Sequence, residues 1–266
     1  MLSHLPGYSL PERLWRTARR WALAWGRIVY LGAVMLVLVL SPSSYTRAAR
    51  RTLARHIYLD TAPILMGFTV LAALLALVIT RIVVVTALSY GLSRYALEMV
   101  IRVLVLELIP LTATLFVAMR CTIPHGTQLA LLRQSGHFDA LRAQGGDPVR
   151  MELLPRVVAG VFASITLAAL SCVVALIMAY ISVYGFNPAG LPSYTRMFGH
   201  VFSPAVTLVF ALKTLFSSLA VALIPTTAGM YDAGEGVTPD SELGGLARMF
   251  AVLLLIEVGS LVGNYY

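Results

Sequence analysis

Charge-free stretches of about 20 residues recur along this chain, and nothing else constrains its fold as strongly. The segment 61–80 reads TAPILMGFTVLAALLALVIT, and no charged side chain occurs between Val157 and Thr195. Such lengths match a hydrocarbon core about 30 Å thick, where a helix satisfies every backbone N–H and C=O internally. With 59% hydrophobic and 12% charged residues among 266, the chain reads as an all-α integral membrane protein without room for a separate soluble domain. The net charge of +8 comes from arginines that flank apolar segments. That pattern suits anionic lipid headgroups and leaves no case for nucleic acid.

The N-terminal MLSHLPGYSLPERLW lacks the compact apolar core and cleavage site of a signal peptide, so the first segments are expected to insert uncleaved. Residues 11–27 set Leu14, Trp21 and Trp25 near one face and arginines on another, the pattern of an interfacial amphipathic helix. Residues 28–46 are charge-free, but a true crossing there would separate Arg13, Arg16, Arg19, Arg20 and Arg27 from Arg47, Arg50, Arg51 and Arg55. The positive-inside tendency and the SPSS break at 41–44 instead predict a segment that dips into the leaflet and returns. Five spans follow, over 61–80, about 103–119, 157–184, 201–228 and 246–262, with a short acidic loop YDAGEGVTPDSE before the last. Arginine placement then puts the N-terminus and residues 137–156 in the cytoplasm, and the C-terminus and the loop around Asn187 outside. The chain divides into an N-terminal interfacial and re-entrant region, 1–57, and a transmembrane bundle, 58–266.

Between two apolar stretches lies HFDALRAQGGDPVRMELLPRV, residues 137–157. Gly145-Gly146 can end a short helix in a left-handed conformation and Asp147-Pro148 can begin the next. The unit is either a cytoplasmic helix that docks into a partner's groove or a solvated loop that joins two spans. Three charges, Glu107, Lys213 and Glu257, fall inside otherwise apolar spans. An ionised group at that depth costs at least a few kcal/mol, so it faces a polar cavity, water or an ion-pair partner. Glu107 and Lys213 fit either a headgroup site or a structural pair, and Glu257 is read as structural.

The segment ELIPLTATLFVAMR…HFDALRAQGGDPVRMELLPRV resembles the MlaE (YrbE) permeases, membrane subunits of ABC systems that move lipids with MCE proteins. The matching positions are Glu107, Pro110, Arg120, Asp139-Ala140-Leu141, Gly145-Gly146-Asp147-Pro148 and Pro155-Arg156, with Arg55-His56-Ile57-Tyr58 upstream and Lys213 downstream. Ile109, Met119, Gln128 and Gly136 depart from the family pattern and place the chain at its divergent edge. The resemblance implies a coupling segment, 131–150, seated on an ATPase through Phe138, Asp139, Ala140, Leu141, Gly146, Asp147 and Pro148. It also implies a lipid pocket with Glu107, Lys213 and Tyr90, formed between two copies of the permease. The implied partners are an ABC ATPase dimer, an MCE-domain protein, phospholipid and a second copy of the chain, in a bacterial inner membrane.

No GxxxxGK[ST] loop occurs, so ATP and Mg belong to the ATPase and this chain needs no cofactor of its own. The histidines are scattered without an HExxH motif, and no serine has a GxSxG context. Cys121 and Cys172 have no second Cys or His at metal-ligand spacing and read as packing residues. The expected role is therefore a transport subunit without an active site. The alternative is a scaffold that anchors an MCE-type assembly without moving lipid.

Overall fold

The computed structural model describes residues 10–42, 45–231 and 239–265, and every described element is helical. Six helices are long and apolar enough to cross a membrane, so the chain is an all-α, multi-pass membrane protein. They are α1 (Leu10–Leu40), α2 (Arg47–Ser89), α3 (93–134), α5 (149–184), α7 (Pro204–Tyr231) and α8 (Pro239–Tyr265). Two shorter helices complete the set, α4 (His137–Ala143) and α6 (Leu191–Val201). Most of the acidic loop, 232–238, lies outside the described residues.

Five helices run the length of the bundle. Ile64, Phe68 and Ala72 of α2 pack with Ala113, Val117 and Cys121 of α3 and with Ala163, Leu167 and Ala168 of α5. Farther along, Ala76 meets Leu97, Leu104, Ala175 and Ala179. Hence α2 and α5 run in the same direction, away from the end that carries α4, and α3 runs back toward it. Thr46 caps α2, its hydroxyl accepting from the Ala49 amide at 3.3 Å.

The first helix departs from the sequence reading. Residues 11–27 and 28–40 are not two elements, because α1 continues without a break for 31 residues and ends at the expected SPSS signal. A helix that long, about 46 Å, cannot dip and return within itself. Its apolar stripe touches the α4 end of the bundle: Ile28 packs with Ala220, Ile224 and Met249, while Leu31 and Met35 pack with Phe138, Leu129 and Leu153. It thus packs at that end on α7 and α8 through Ile28 and on α3, α4 and α5 through Leu31 and Met35.

Prolines shape the long helices. Three π-helical stretches, Ile101–Leu108, Ala118–Thr122 and Val149–Leu153, stop two residues before Pro110, Pro124 and Pro155. Proline has no N–H for the carbonyl four residues back and its ring crowds that carbonyl, so the turn widens to five-residue spacing. The Ile109 amide accordingly bonds the Leu104 carbonyl, and Ile123 and Leu154 bond Ala118 and Val149.

At the opposite end, Tyr194 donates to the Leu176 carbonyl at 2.8 Å and stacks edge-on with Tyr180. Burial pushes its phenol up to about 12, so the hydroxyl stays a donor there. Gly185 turns the chain at φ +65° after α5, where a side chain would be strained.

Candidate functional site

Lys213 lies on α7, where its side chain is closed in by α3 and α8 and only 3% of the residue is exposed. Its ammonium donates to the carboxylates of Glu107 and Glu257 and to the Leu106 carbonyl at 3.2 Å. All three donor positions are therefore occupied. The backbone partner follows from sequence: Leu106 stands four residues before Pro110, which has no amide to offer it. Asn264 of α8 donates to Glu107 at 3.3 Å, while Glu257 Oε1 and Asn264 Oδ1 are buried without a donor.

This cluster joins two of the three positions singled out for lipid and adds one that was set aside. Glu107 and Lys213 meet directly, as both of their alternatives allow. Glu257, read as structural, is the second carboxylate on the same ammonium. Periodicity could not pair it with Lys213, because the contact joins two helices through a connection whose length hides the register. Tyr90 is placed elsewhere. It ends α2 as an exposed C-cap residue, 77% accessible, and no hydrogen bond of the described residues ties it to the cluster.

The segment 131–150 forms a helix between two glycine turns. Gly136 precedes α4 at φ +73° and Gly145 follows it at φ +79°. The amides of Gly145 and Gly146 bond the carbonyls of Arg142 and Leu141, both at 2.9 Å, which closes the C-terminus in a Schellman arrangement. The Asp147 carboxylate then accepts from the Val149 amide at 3.0 Å and starts α5.

The proposed docking residues divide into two sets. Asp139, Ala140 and Asp147 are exposed, and Leu141 and Gly146 are half-buried. Phe138 is 4% exposed and packs inward with Leu31, Met35, Leu129, Leu153, Val157 and Met230, and Pro148 is also buried. Neither of these two presents a side chain to a partner. Phe138 is instead the apolar peg that fixes α4 to the bundle, because a short polar helix needs one anchor against its own core. Arg133, just before α4, donates to the Met230 carbonyl at the end of α7.

Near this segment sits a polar group that sequence reasoning missed. Asp60 of α2 contacts His125 of α3, Oδ1 to Nε2, at 3.3 Å, and both residues are buried. Glu152 of α5 holds Arg156 at 2.5 Å and reaches His137 of α4 at 3.5 Å. Of these residues only Arg156 stood in a motif, Pro155-Arg156, and only packing aligns four helices at one level. No group of three metal-ligating side chains exists among the described residues.

The family model described as Permease MlaE matches residues 53–261. No curated protein matches the chain.

Proposed function

Because this chain belongs to the MlaE permease family, a transport subunit of ABC type, we propose that it couples a separate ATPase dimer to the movement of phospholipid, delivered to or received from an MCE-domain protein. The observation that carries the reading is the α4 unit: an exposed face bearing Asp139, Ala140 and Asp147, pinned from behind by the buried Phe138. A peg of that kind passes a push on the surface directly into α1, α3, α5 and α7. ATP and Mg are held by the ATPase, which supplies the chemistry, and this chain supplies the moving part.

Two copies of the chain form the transporter, in a bacterial inner membrane with α4 cytoplasmic and the end of α8 periplasmic. The lipid lies against apolar walls with its headgroup at Glu107, Lys213 and Glu257. Lys213 has no spare donor in the closed cluster, so an arriving phosphate takes the place of one carboxylate on the ammonium. Tyr90 acts at the rim, apart from this exchange.

The test is lipid movement by the reconstituted full complex in nanodiscs, with retention of ATPase and phospholipid measured for Asp139→Arg and Lys213→Ala. Loss of the ATPase in the first and of lipid in the second is expected. A complex that assembles and holds lipid but never moves it on ATP addition would establish the scaffold role instead.

A further inference from the structure

The Asp60–His125 and Glu152–Arg156 pairs lie at the α4 end of the bundle, away from the Lys213 cluster. His56, on α2, marks their shared level. Its ring meets that of His125 edge-on with centroids 6.2 Å apart, and Gly160, one turn beyond Arg156 on α5, lies against Thr122, one turn before His125 on α3. The chain of contacts begins at the first residue of α4, His137, on Glu152. It continues through Arg156, whose guanidinium spans the Glu152 carboxylate and the Glu152 carbonyl at 2.6 Å. It stops at Arg156; Asp60 and His125 form a separate pair, where Cys121 also donates to the Asp60 carbonyl at 3.4 Å.

Three polar atoms in this layer are buried and have no partner: Arg156 Nε, Asp60 Oδ2 and His125 Nδ1. An unsatisfied donor and an unsatisfied acceptor in one buried layer are costly to the state that leaves them so. They also complement each other, because a guanidinium edge can bond an aspartate that has a free oxygen. Beside them the Val149–Leu153 π turn carries Glu152 and precedes Pro155, so the backbone under Arg156 lacks the regular ladder that would resist a change of pitch.

We propose that Asp60 and Glu152 are positioning residues for coupling, which exchange Arg156 between them when α4 is displaced. In the arrangement seen, Arg156 is held by Glu152 and α2 is held to α3 through His125. When α4 moves and draws His137 and Glu152 with it, Arg156 turns its Nε edge to the free oxygen of Asp60, and α2 follows α5 instead of α3. The exchange rests on the reading of this chain as an ATPase-coupled permease, and it adds no bond-making chemistry.

The experiment uses the full chain in complex with its ATPase, in nanodiscs, and measures lipid moved per ATP hydrolysed together with ATPase retention. Asp60→Asn and Glu152→Gln are each expected to lower the ratio about tenfold while ATP turnover changes less than about twofold, and the double variant is expected to fall no further than the worse single. Unchanged ratios, or losses that multiply in the double variant, would overturn the exchange. Glu98→Gln, which breaks the distant Glu98–Arg102 pair, should leave the ratio unchanged; a matching loss there would make the effect a general one and also overturn it. Where a variant fails to assemble, Arg156→Lys, which keeps the charge but has no Nε edge to offer alongside a second nitrogen, decides between the same outcomes. If the wild-type complex moves no lipid with ATP, the permease reading itself fails.

Discussion

Lys213 donates to the carbonyl of Leu106, 3.2 Å away on another helix, and that carbonyl is free because Pro110 supplies no amide to it. A proline in one span thus prepares the backbone acceptor for a lysine in another, and the two carboxylates complete the ammonium's coordination. Removing the lysine alone strands Glu107 and Glu257. Lys213→Met should therefore destabilise the protein by about 3–5 kcal/mol, as breaking one side of a buried pair does. Adding Glu107→Gln and Glu257→Gln should recover most of that loss. Thermal unfolding in one lipid composition reads both, and equal midpoints for the single and triple variants would remove the ion cluster from the stability of the bundle.

Pro110→Ala provides the complementary test. The new amide can bond Leu106 and compete with Lys213, tightening the π turn toward regular helix. The expected result is weaker retention of phospholipid with ATPase docking intact. Quantifying co-purified lipid against ATPase subunit decides it, and unchanged lipid would detach the turn from the site.

Gly229 and Gly126 bring α7 and α3 into backbone contact. A Cβ on Gly229 would stand 2.0 Å from the Gly126 carbonyl oxygen, whereas one on Gly245 would meet Ala228 at an ordinary 3.5 Å. Gly229→Ala should cost about 1–3 kcal/mol or more through overpacking, and Gly245→Ala should be near neutral. The difference in unfolding temperature between the two variants is the measurement.

Phe138 and Asp139 are neighbours on α4, one buried and one exposed. Phe138→Ala should cost about 3–5 kcal/mol by emptying a core position. Asp139 is exposed, and its 3.1 Å pair with Arg142 contributes little, so Asp139→Arg should leave the unfolding temperature nearly unchanged. ATPase retention should be lost in the second without any loss of fold. A drop in unfolding temperature for Asp139→Arg would move that residue from the docking face to the core.

The amino-acid sequence by itself determined the membrane class, the five through-running apolar segments and the helix–turn unit at 137–148, because these depend on local length, hydropathy and glycine and proline placement. Its break at 41–44 also coincides with the end of α1. Tertiary structure decided which faces meet. It turned Phe138 inward, brought Glu257 onto Lys213, left Tyr90 at a helix end and aligned Asp60, His125, Glu152 and Arg156. The physical reason is that a hydrophobic span satisfies its own backbone wherever it lies. Its register and rotation against its neighbours are therefore set by close packing and by the few buried charges, and these pair residues 106 positions apart in Lys213 and Glu107 and 157 apart in Asn264 and Glu107.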